Sequence, residues 1–416
     1  MDNAQKKLIL HRMKKNADIA IVGGSLTGAA TALAAAQAGF RVVVVDQLAA
    51  QKQVEQVFDG RSYAMALTSV RLLKALGLWP ELAETAQPIL KIKVADGNLS
   101  TGPSPLFMQF DHAEIEEGPM GHMVEDRFLR PLLQKTMARY ETIDYIAGTA
   151  LIEQSISGNE MQLTLSDGCQ ISTSLLIGAD GRKSPSAGRA GIKRIGWDYG
   201  QTALVCAIEH EIPHNGVACQ YFLPAGPLAI LPLTENRASI VWSETAQNAK
   251  QIMALNEADY LSILQPRIGD YLGKISMVGK RYSYPLDLTL AQSFIAPRLA
   301  LIGDAAHGVH PIAGQGLNAG LRDIAALVQV LKEAKSRGED IGASATLMRY
   351  QEWRRFDATS LALATDTFNR LFSNDNSLLR LGRDIGMAMI NAVPKARRSF
   401  IREAAGLTGT LPDLMR

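Results

Sequence analysis

Apolar and polar positions in the first part of the chain predict a strand, a helix and a second strand in succession. Residues 17–46 read ADIAIVGGSLTGAATALAAAQAGFRVVVVD, with an apolar run at Ile19–Val22, a glycine turn, an alanine-rich stretch and a second apolar run that ends at Asp46. Continuous apolar runs are typical of strands that are buried on both faces of a parallel sheet. A strand, helix and strand within about 30 residues form the βαβ unit that binds dinucleotides.

The turn of this unit carries the candidate dinucleotide contacts. Gly23 and Gly28 match the first and third glycines of the G-x-G-x-x-G pattern, whereas Ser25 takes the place of the second. Gly24 beside it is expected to supply the missing backbone freedom. Free amides at the start of the helix would hold a diphosphate, and Asp46 would accept hydrogen bonds from an adenosine ribose.

A second glycine-rich segment lies late in the chain. Residues 299–323 read LALIGDAAHGVHPIAGQGLNAGLRD, where Asp304 follows an apolar strand. Because the first amides of a helix have no partner within it, they can face an anion such as a reduced flavin ring. Pro311 could form a wall of the ring site. The candidate ring contacts at the start of the helix are Gly314, Gln315, Gly316, Leu317 and Asn318.

A third segment, LLIGADGRKSPSAGRAGI from Leu175, repeats the combination of an apolar strand and a polar turn. Asp180 and Gly181 stand at that turn, and Arg182 follows them. Three nucleotide-contact segments, spread from Gly23 to Asp323, indicate one long ligand that is held by an interrupted domain. FAD has the required length, so the sequence predicts an FAD site.

Two histidines in the late segment raise the alternative of a metal site. His307 and His310 are three residues apart and could share a helical face. No third ligand has suitable spacing, because Asp304 already has a predicted role, so we expect no metal. His307 is expected to pack and form hydrogen bonds under the flavin loop. His310 is expected to donate a hydrogen bond near the ring, and it is a candidate for a catalytic role.

The pattern changes between Trp197 and Tyr284. Alternating stretches such as ALVCAIEHEI, CQYFLPAG and ASIVWSE predict an antiparallel sheet, which would cover the flavin and carry the substrate. Tyr221, Phe222 and Pro232 are the candidate pocket-lining residues. Packing in the core of the sheet is an equally acceptable role for the aromatic side chains.

Composition and charge narrow the class of protein. The 416 residues include 43 Lys plus Arg and 41 Asp plus Glu, a net charge of +2 that offers no broad attraction for nucleic acid. Cys169, Cys206 and Cys219 are odd in number and not in CxxC spacing, which fits a reducing compartment. No apolar run approaches the roughly 20 residues of a membrane-spanning helix. We therefore expect a cytoplasmic protein that binds no nucleic acid.

The three nucleotide-contact segments together resemble the group A flavin-dependent aromatic hydroxylases, whose fingerprints are a front glycine motif, a central DG motif and a late GD motif. The chain is similar, more narrowly, to the ubiquinone-biosynthesis hydroxylases of the UbiH/UbiF type. The narrower likeness rests on DGRSYAMALTSVRLLKALGLW from Asp59, GHMVEDRFLRPLL from Gly121, ACQYFLPAGPLAILPL from Ala218 and HPIAGQGLNAGLRD from His310.

The resemblance implies a role for each matching residue. The implied FAD contacts are Gly23, Gly24 and Gly28 with the diphosphate, Asp46 with the ribose, Glu125 near FAD, Asp304 with the flavin side chain, and Pro311 with residues 314–318 around the ring. Arg61 would reach the diphosphate or the incoming nicotinamide cofactor, and Asp180 would bridge the two cofactors. Arg61, His310 and Pro311 are the catalytic candidates. Ser25 and Asp126 depart from the wider family, which often has Gly and Arg there, so we expect any deviation in FAD affinity at these positions.

The chemistry that the resemblance implies is two half-reactions on one flavin. NADPH or NADH docks transiently and donates a hydride, and the reduced flavin adds O2 to form a C4a-hydroperoxide. This adduct would hydroxylate a polyprenylated phenol on the route to ubiquinone. The protein would position the reactants and exclude water, since a wet site would release hydrogen peroxide. Membership of a ubiquinone-biosynthesis complex is a further expectation.

The tail SLLRLGRDIGMAMINAVPKARRSFIREAAG combines apolar and basic residues. A basic amphipathic stretch can lie on an anionic bilayer, although a helix pair packed on the FAD domain with solvated arginines would show the same pattern. Since the implied substrate resides in the membrane, we expect peripheral contact with the inner face of the membrane.

The predicted fold is α/β. It comprises a discontinuous Rossmann-like FAD-binding domain of the GR2 type, an antiparallel β-sheet substrate domain and C-terminal helices. The FAD-binding domain would contain residues 17–80, 118–195 and 285–345, and the substrate domain residues 81–117 and 196–284. Residues 346–416 would form the helical segment.

Two alternatives to this function stay open, and a third is disfavoured by the sequence. A flavin halogenase of the same fold would resemble W-x-W-x-I-P, a pattern that none of the 4 tryptophans provides. A non-catalytic flavoprotein component of a biosynthetic complex would keep the fold, although intact Arg61, Asp180, Asp304 and Pro311 argue against lost catalysis. A hydroxylase of another aromatic substrate would share the same motifs.

Overall fold

The structure is a computed structural model that describes residues 14–49, 58, 60–98, 102–310, 314–372 and 391–416. Strands of the described residues form three sheets. The strands are β1 (Lys14–Val22), β2 (Val42–Asp46), β3 (Ser62–Ala66), β4 (Gln87–Ile89), β5 (Lys91–Asn98), β6 (Gly102–Asp111), β7 (Gly121–Glu125), β8 (Ile143–Ala147), β9 (Leu151–Ser157), β10 (Glu160–Leu165), β11 (Gln170–Gly178), β12 (Arg194–His210), β13 (Val217–Leu223), β14 (Gly226–Leu233), β15 (Arg237–Thr245), β16 (Ile275–Ala291), β17 (Ile295–Ala296), β18 (Leu299–Leu301) and β19 (His307–Gly308).

Helices cover these sheets. They are α1 (Leu26–Gln37), α2 (Leu67–Ala75), α3 (Trp79–Leu82), α4 (Asp126–Met137), α5 (Pro185–Arg189), α6 (Ala246–Met253), α7 (Glu257–Ile268), α8 (Gln315–Ser336), α9 (Ser344–Phe372) and α10 (Pro394–Ala404). Short 3-10 helices span His112–Glu114, Gly303–Ala305 and Asp413–Met415.

The first sheet has a parallel core in the order β18-β11-β1-β2-β8. All five residues of β2 are buried, so both faces of this strand are covered, as its unbroken apolar run predicted. Helix α1 packs against α4 and α8. The predicted βαβ unit is therefore present, with its turn at the carboxyl end of β1.

The second sheet has the order β19-β16-β12-β15-β14-β13-β5-β6 and is antiparallel except where β13 meets β5. Helices α6 and α7 cover one face, where Trp242, Tyr260 and Leu264 have no exposed surface. This is the antiparallel sheet that the alternating pattern predicted, and the α/β fold class is confirmed.

A small antiparallel sheet, β3-β7-β4, connects the two larger ones. Strand β3 contacts α8, and β4 and β7 contact β14 of the second sheet. The predicted domain borders at 195/196 and 284/285 fall inside the long strands β12 and β16. Both strands therefore cross the predicted border between the FAD-binding body, which contains the first sheet, and the substrate body, which contains the second sheet. The two bodies thus share continuous backbone.

The C-terminal region packs on both bodies. Helix α9 lies along α8, α10 contacts β6, and Asp413–Met415 contacts α2. Much of the predicted basic amphipathic tail, residues 377–390, lies outside the described residues. In the described ranges, no helix is both long and apolar enough to cross a membrane.

Candidate functional site

The turn after β1 is shaped by two glycines. Gly23 adopts a positive φ of 99°, and a Cβ added to it would lie 2.3 Å from the carbonyl oxygen of Ala179. A Cβ on Gly28 would lie 1.7 Å from the carbonyl oxygen of Gly23, so any larger residue would push α1 away from the turn. This close cradle at a helix start fits the diphosphate of a dinucleotide.

Gly24 and Asp46 are in direct contact. The amide of Gly24 donates to Asp46 Oδ2 at 2.6 Å, and the amide of Leu48 donates to Oδ1 at 2.7 Å. A Cβ on Gly24 would lie 2.7 Å from the ring of Tyr145. Gly24 does not adopt a positive φ. This position therefore needs glycine for space, and the predicted role of Gly24 at the diphosphate stays a prediction.

Beside this turn, the carboxylate of Asp126 contacts two arginines and a tyrosine. Its carboxylate accepts from Arg130 Nη2 at 2.9 Å, from Tyr63 Oη at 2.7 Å, and lies 3.2 Å from Arg61 Nη2. Burial and the Asp126 carboxylate raise the pKa of Tyr63, so this phenol is neutral. The sequence predicted a cofactor-binding role for Arg61, but it predicted no role for Arg130. Arg130 follows Asp126 by four residues on one helix, and this spacing could have indicated the ion pair.

Asp180 of the DG motif is held by its own turn. Its carboxylate accepts from the Ser184 hydroxyl at 2.5 Å and from the Ser186 amide at 2.8 Å, which closes the turn before α5. The predicted bridge from Asp180 to a nicotinamide cofactor stays a prediction.

Arginines hold the loop around Asp304. Arg182 Nε donates to Asp304 Oδ2 at 3.3 Å, and its Nη2 donates to the carbonyl of Val309 at 3.0 Å. Arg194 donates to the backbone carbonyls of Asp304 and Ala305 at 3.1 and 2.8 Å. The DG and GD motifs therefore meet through Arg182, and the positioning role of Arg194 was missed because it follows from long-range contacts.

The two histidines have different surroundings. His307 Nε2 lies 2.6 Å from Asp323 Oδ2, and both side chains have no exposed surface, as expected for a hydrogen-bonded residue under the loop. The fully buried ring of His310 meets the edge of Tyr199 at a centroid distance of 5.2 Å. Burial, with the nearby Arg182, lowers the pKa of His310 to about 4, so it is neutral at pH 7. No three His, Cys, Asp or Glu side chains are grouped as metal ligands within the described ranges.

The start of α8 is fastened to β3. Gly314 precedes the helix with a left-handed φ of 64°. Asn318 accepts from the Ala66 amide at 2.9 Å and donates to the carbonyls of Ala64 and Gly314 at 2.8 and 3.0 Å. Gln315, Gly316 and Leu317 thus lie in a first turn of fixed orientation. Pro311 lies outside the described residues, so its predicted roles are open.

Glu125 lies in a buried ion cluster between the two bodies. Its carboxylate is 3.0 Å from Arg237 Nη2 and 2.7 Å from Arg127 Nε, and its side chain is 1% exposed. Both arginines stack on Phe58. The two arginines are sufficient to explain why a carboxylate is buried here. The predicted contact between Glu125 and FAD stays a prediction.

The candidate substrate residues occupy opposite faces of the second sheet. Tyr221 pairs with Leu228 and Pro232 with Ala238, on the face covered by α6 and α7. Phe222 points to the other face, where it packs with Val94 and Met108. Among the three candidates, only Phe222 lies on the face away from α6 and α7, whereas Tyr221 and Pro232 lie in the core beneath these helices.

A line of cross-strand neighbours, here called the apolar row, lies on the same face as Phe222 and beside it. Its members are half-buried and mostly apolar. The apolar row consists of Tyr282, Val205, Val241, Ala229, Gln220, Val94 and Met108. The next row on the same face, which includes Ala207 and Ala218, packs with Met120 and Met123 near the small sheet. The apolar row therefore borders the junction with the nucleotide-binding body.

Comparison with known proteins defines the class. The family model described as FAD binding domain matches residues 16–362. The solved structure of p-nitrophenol 4-monooxygenase PnpA from Pseudomonas putida DLL-E4 shares the fold with a TM-score of 0.78 and 18% identity, over 95% of this chain and 99% of that chain. The predicted FAD cofactor is confirmed, with NAD(P)H and O2 as the co-substrates of the class.

Two curated relatives narrow the family. Ubiquinone hydroxylase UbiL of Rhodospirillum rubrum is 42% identical over 97% of this chain and 93% of that protein. The 3-demethoxyubiquinol 3-hydroxylase of Escherichia coli is 33% identical over 94% of this chain and 98% of that protein. The chain belongs to the ubiquinone-hydroxylase family of FAD-dependent aromatic-ring monooxygenases, which confirms the predicted resemblance.

Proposed function

We propose that this chain hydroxylates the aromatic ring of a polyprenylated phenol on the route to ubiquinone. The apolar row carries the proposal, since a partly exposed apolar surface suits a hydrophobic ligand. Its position at the junction of the two bodies would bring a bound ring near the flavin. The names of the two relatives support the same substrate class.

The candidate residues receive these roles in the proposal. Bound FAD supplies the redox chemistry, in which NAD(P)H provides two electrons and O2 provides one oxygen atom to the ring and one to water. The proposed cofactor contacts are Gly23, Gly24, Ser25, Gly28, Asp46, Arg61, Glu125, Asp180, Asp304, Pro311 and residues 314–318.

The residues of the loop around Asp304 would organise the reaction. Arg182 donates to Oδ2 of Asp304, and this contact would orient the carboxylate towards the flavin side chain. A neutral, buried His310 can donate one hydrogen bond without adding charge. Val241 and Phe222 would keep water away from the reacting ring, which favours product over hydrogen peroxide.

The test uses the purified yellow protein with NAD(P)H, O2 and a prenylated phenol. We expect NAD(P)H oxidation that depends on the phenol and a product one oxygen atom heavier by mass spectrometry. Oxidation without dependence on any phenol, and without hydroxylated product, would favour the non-catalytic component. In a deletion strain, the quinone intermediate that accumulates identifies the step, and an unchanged profile contradicts the pathway assignment.

We also propose peripheral contact with an anionic membrane through α10. Val393 and Phe400 on and beside this helix are 50% and 40% exposed, next to the exposed basic residues Lys395 and Arg398. Co-sedimentation with vesicles of anionic lipid should exceed that with neutral lipid, and the double variant Lys395→Glu/Arg398→Glu should lose the difference. Equal sedimentation of both proteins would contradict this contact.

A further inference from the structure

A charged cluster lies beside the start of α1. Asp126, the first residue of α4, binds two guanidinium groups, those of Arg61 and Arg130. Two positive charges and one negative charge leave one net positive charge, because the Tyr63 phenol that also donates to Asp126 is neutral. The side chains of Asp126 and Arg130 are 5% and 14% exposed, so this pair is shielded from solvent, whereas Arg61 is 40% exposed.

Two side chains of helix α4 contact the glycine turn and place the positive charge beside it. Arg130 Nη1 lies 3.4 Å from Ser25 Oγ, and Gln134 Nε2 donates to the Gly24 carbonyl at 3.1 Å. These two residues are four positions apart and share one face of α4. The Arg130 side chain is 14% exposed, and Asp126 accepts from both its Nε and its Nη2. The guanidinium is thus held in one place at the start of α1.

We infer that Arg130 is a further FAD-binding residue, whose cation faces the diphosphate at the start of α1, and that Asp126 is its positioning residue. This inference rests on the proposed placement of the diphosphate at the glycine turn. A planar guanidinium suits phosphate oxygens, and its attraction adds to that of the helix amides. Asp126 keeps Arg130 and Arg61 side by side despite their like charges.

The experiment compares ligands that differ in the diphosphate. Apoprotein of the wild type and of Arg130→Gln, Arg130→Lys and Arg139→Gln is titrated with FAD and with riboflavin, which has no phosphate. Arg139 is the matched control, because it follows the same helix and pairs with exposed Glu81. Arg130→Gln should weaken FAD binding about 10- to 100-fold, as expected for a charge-assisted hydrogen bond. Riboflavin binding should be unchanged, and Arg130→Lys should recover part of the loss.

A second measurement separates charge from packing. The dissociation constant of FAD should rise with salt concentration in the wild type, and this dependence should be weaker in Arg130→Gln. Equal losses for FAD and riboflavin, or an effect no larger than that of Arg139→Gln, would overturn the inference. If the wild type bound riboflavin as tightly as FAD, the placement of the diphosphate itself would fail, and the two failures are therefore distinguishable.

Discussion

Asp323 binds His307 at 2.6 Å beneath the Asp304 loop, in a contact that is completely buried. The same carboxylate accepts from Arg354 Nε at 2.8 Å and from the Gly303 amide at 3.0 Å. One side chain therefore ties α8, α9 and the loop together. Asp323, which has no predicted contact with FAD, therefore supports the Asp304 loop from beneath, together with Arg182 and Arg194.

Replacing this carboxylate should destabilise the fold. Asp323→Ala would leave Arg354 buried without its main partner, so we expect a loss of about 3–5 kcal/mol in the free energy of unfolding. Urea unfolding of the holoprotein measures the change. Asp413→Ala, at a carboxylate that is 66% exposed, is the control and should change stability little. Similar values for the two variants would contradict the role of Asp323.

The glycine turn gives a steric prediction. Gly28→Ala places a Cβ 1.7 Å from the Gly23 carbonyl, so α1 must shift and the diphosphate cradle must widen. We expect purified Gly28→Ala to contain little FAD, as measured by the ratio of absorbance at flavin and protein wavelengths. Gly188→Ala is the control, since no atom lies within 4 Å of its added Cβ. A full flavin complement in Gly28→Ala would count against the cradle.

Asp304 should contribute directly to flavin retention. Asp304→Ala removes an acceptor for a flavin side-chain hydroxyl, and we expect FAD affinity to fall about 10- to 100-fold. Asp287→Ala is a close control, because Asp287 is the other carboxylate that pairs with Arg182. Fluorescence titration of both apoproteins measures the difference. Undiminished flavin content in Asp304→Ala would falsify the assigned role.

His310 should make stability depend on pH. Burial lowers its pKa from 6.5 to about 4, so between these values the unfolded chain binds a proton that the folded chain does not bind. Stability therefore decreases as pH falls from 7 to 5, by about 2 kcal/mol from this residue. Urea unfolding of His310→Leu should show a correspondingly smaller decrease than the wild type. Equal decreases would show that the ring titrates normally in the folded state.

The apolar row should govern substrate binding. Val241→Trp fills space in the middle of the row, so we expect a higher KM for the prenylated phenol and more hydrogen peroxide per NAD(P)H. The FAD content should match that of the wild type, since Val241 lies on the second sheet. Product and peroxide assays on the same samples measure both effects. An unchanged KM would place the substrate elsewhere.

Local patterns predicted much of the nucleotide-binding body. The βαβ unit, Gly23, Gly28, Asp46 and the helix start after Gly314 followed from the chain alone. These features depend on backbone geometry and on apolar periodicity, which neighbouring residues specify. Gly24 lies in the predicted turn, and its lack of a side chain is required by Tyr145, a residue far along the chain.

The contacts that the sequence did not predict are long-range. Asp126 appeared as a departure from the family pattern, whereas the structure joins it to Arg61, Arg130 and Tyr63. Tyr221 and Phe222 are adjacent and looked equivalent as pocket residues. The sheet sends them to opposite faces, and only its packing decides that α6 and α7 cover the face of Tyr221.

The sequence by itself determined three segments in which a buried strand is followed by a turn, and a sheet of alternating apolar and polar residues. It also carried the motifs of a flavin monooxygenase. Only the tertiary structure decided which charged groups meet at each turn and which face of the second sheet α6 and α7 cover. The physical reason is that strand and helix patterns arise between near neighbours, whereas ion clusters and pockets arise where distant segments pack together.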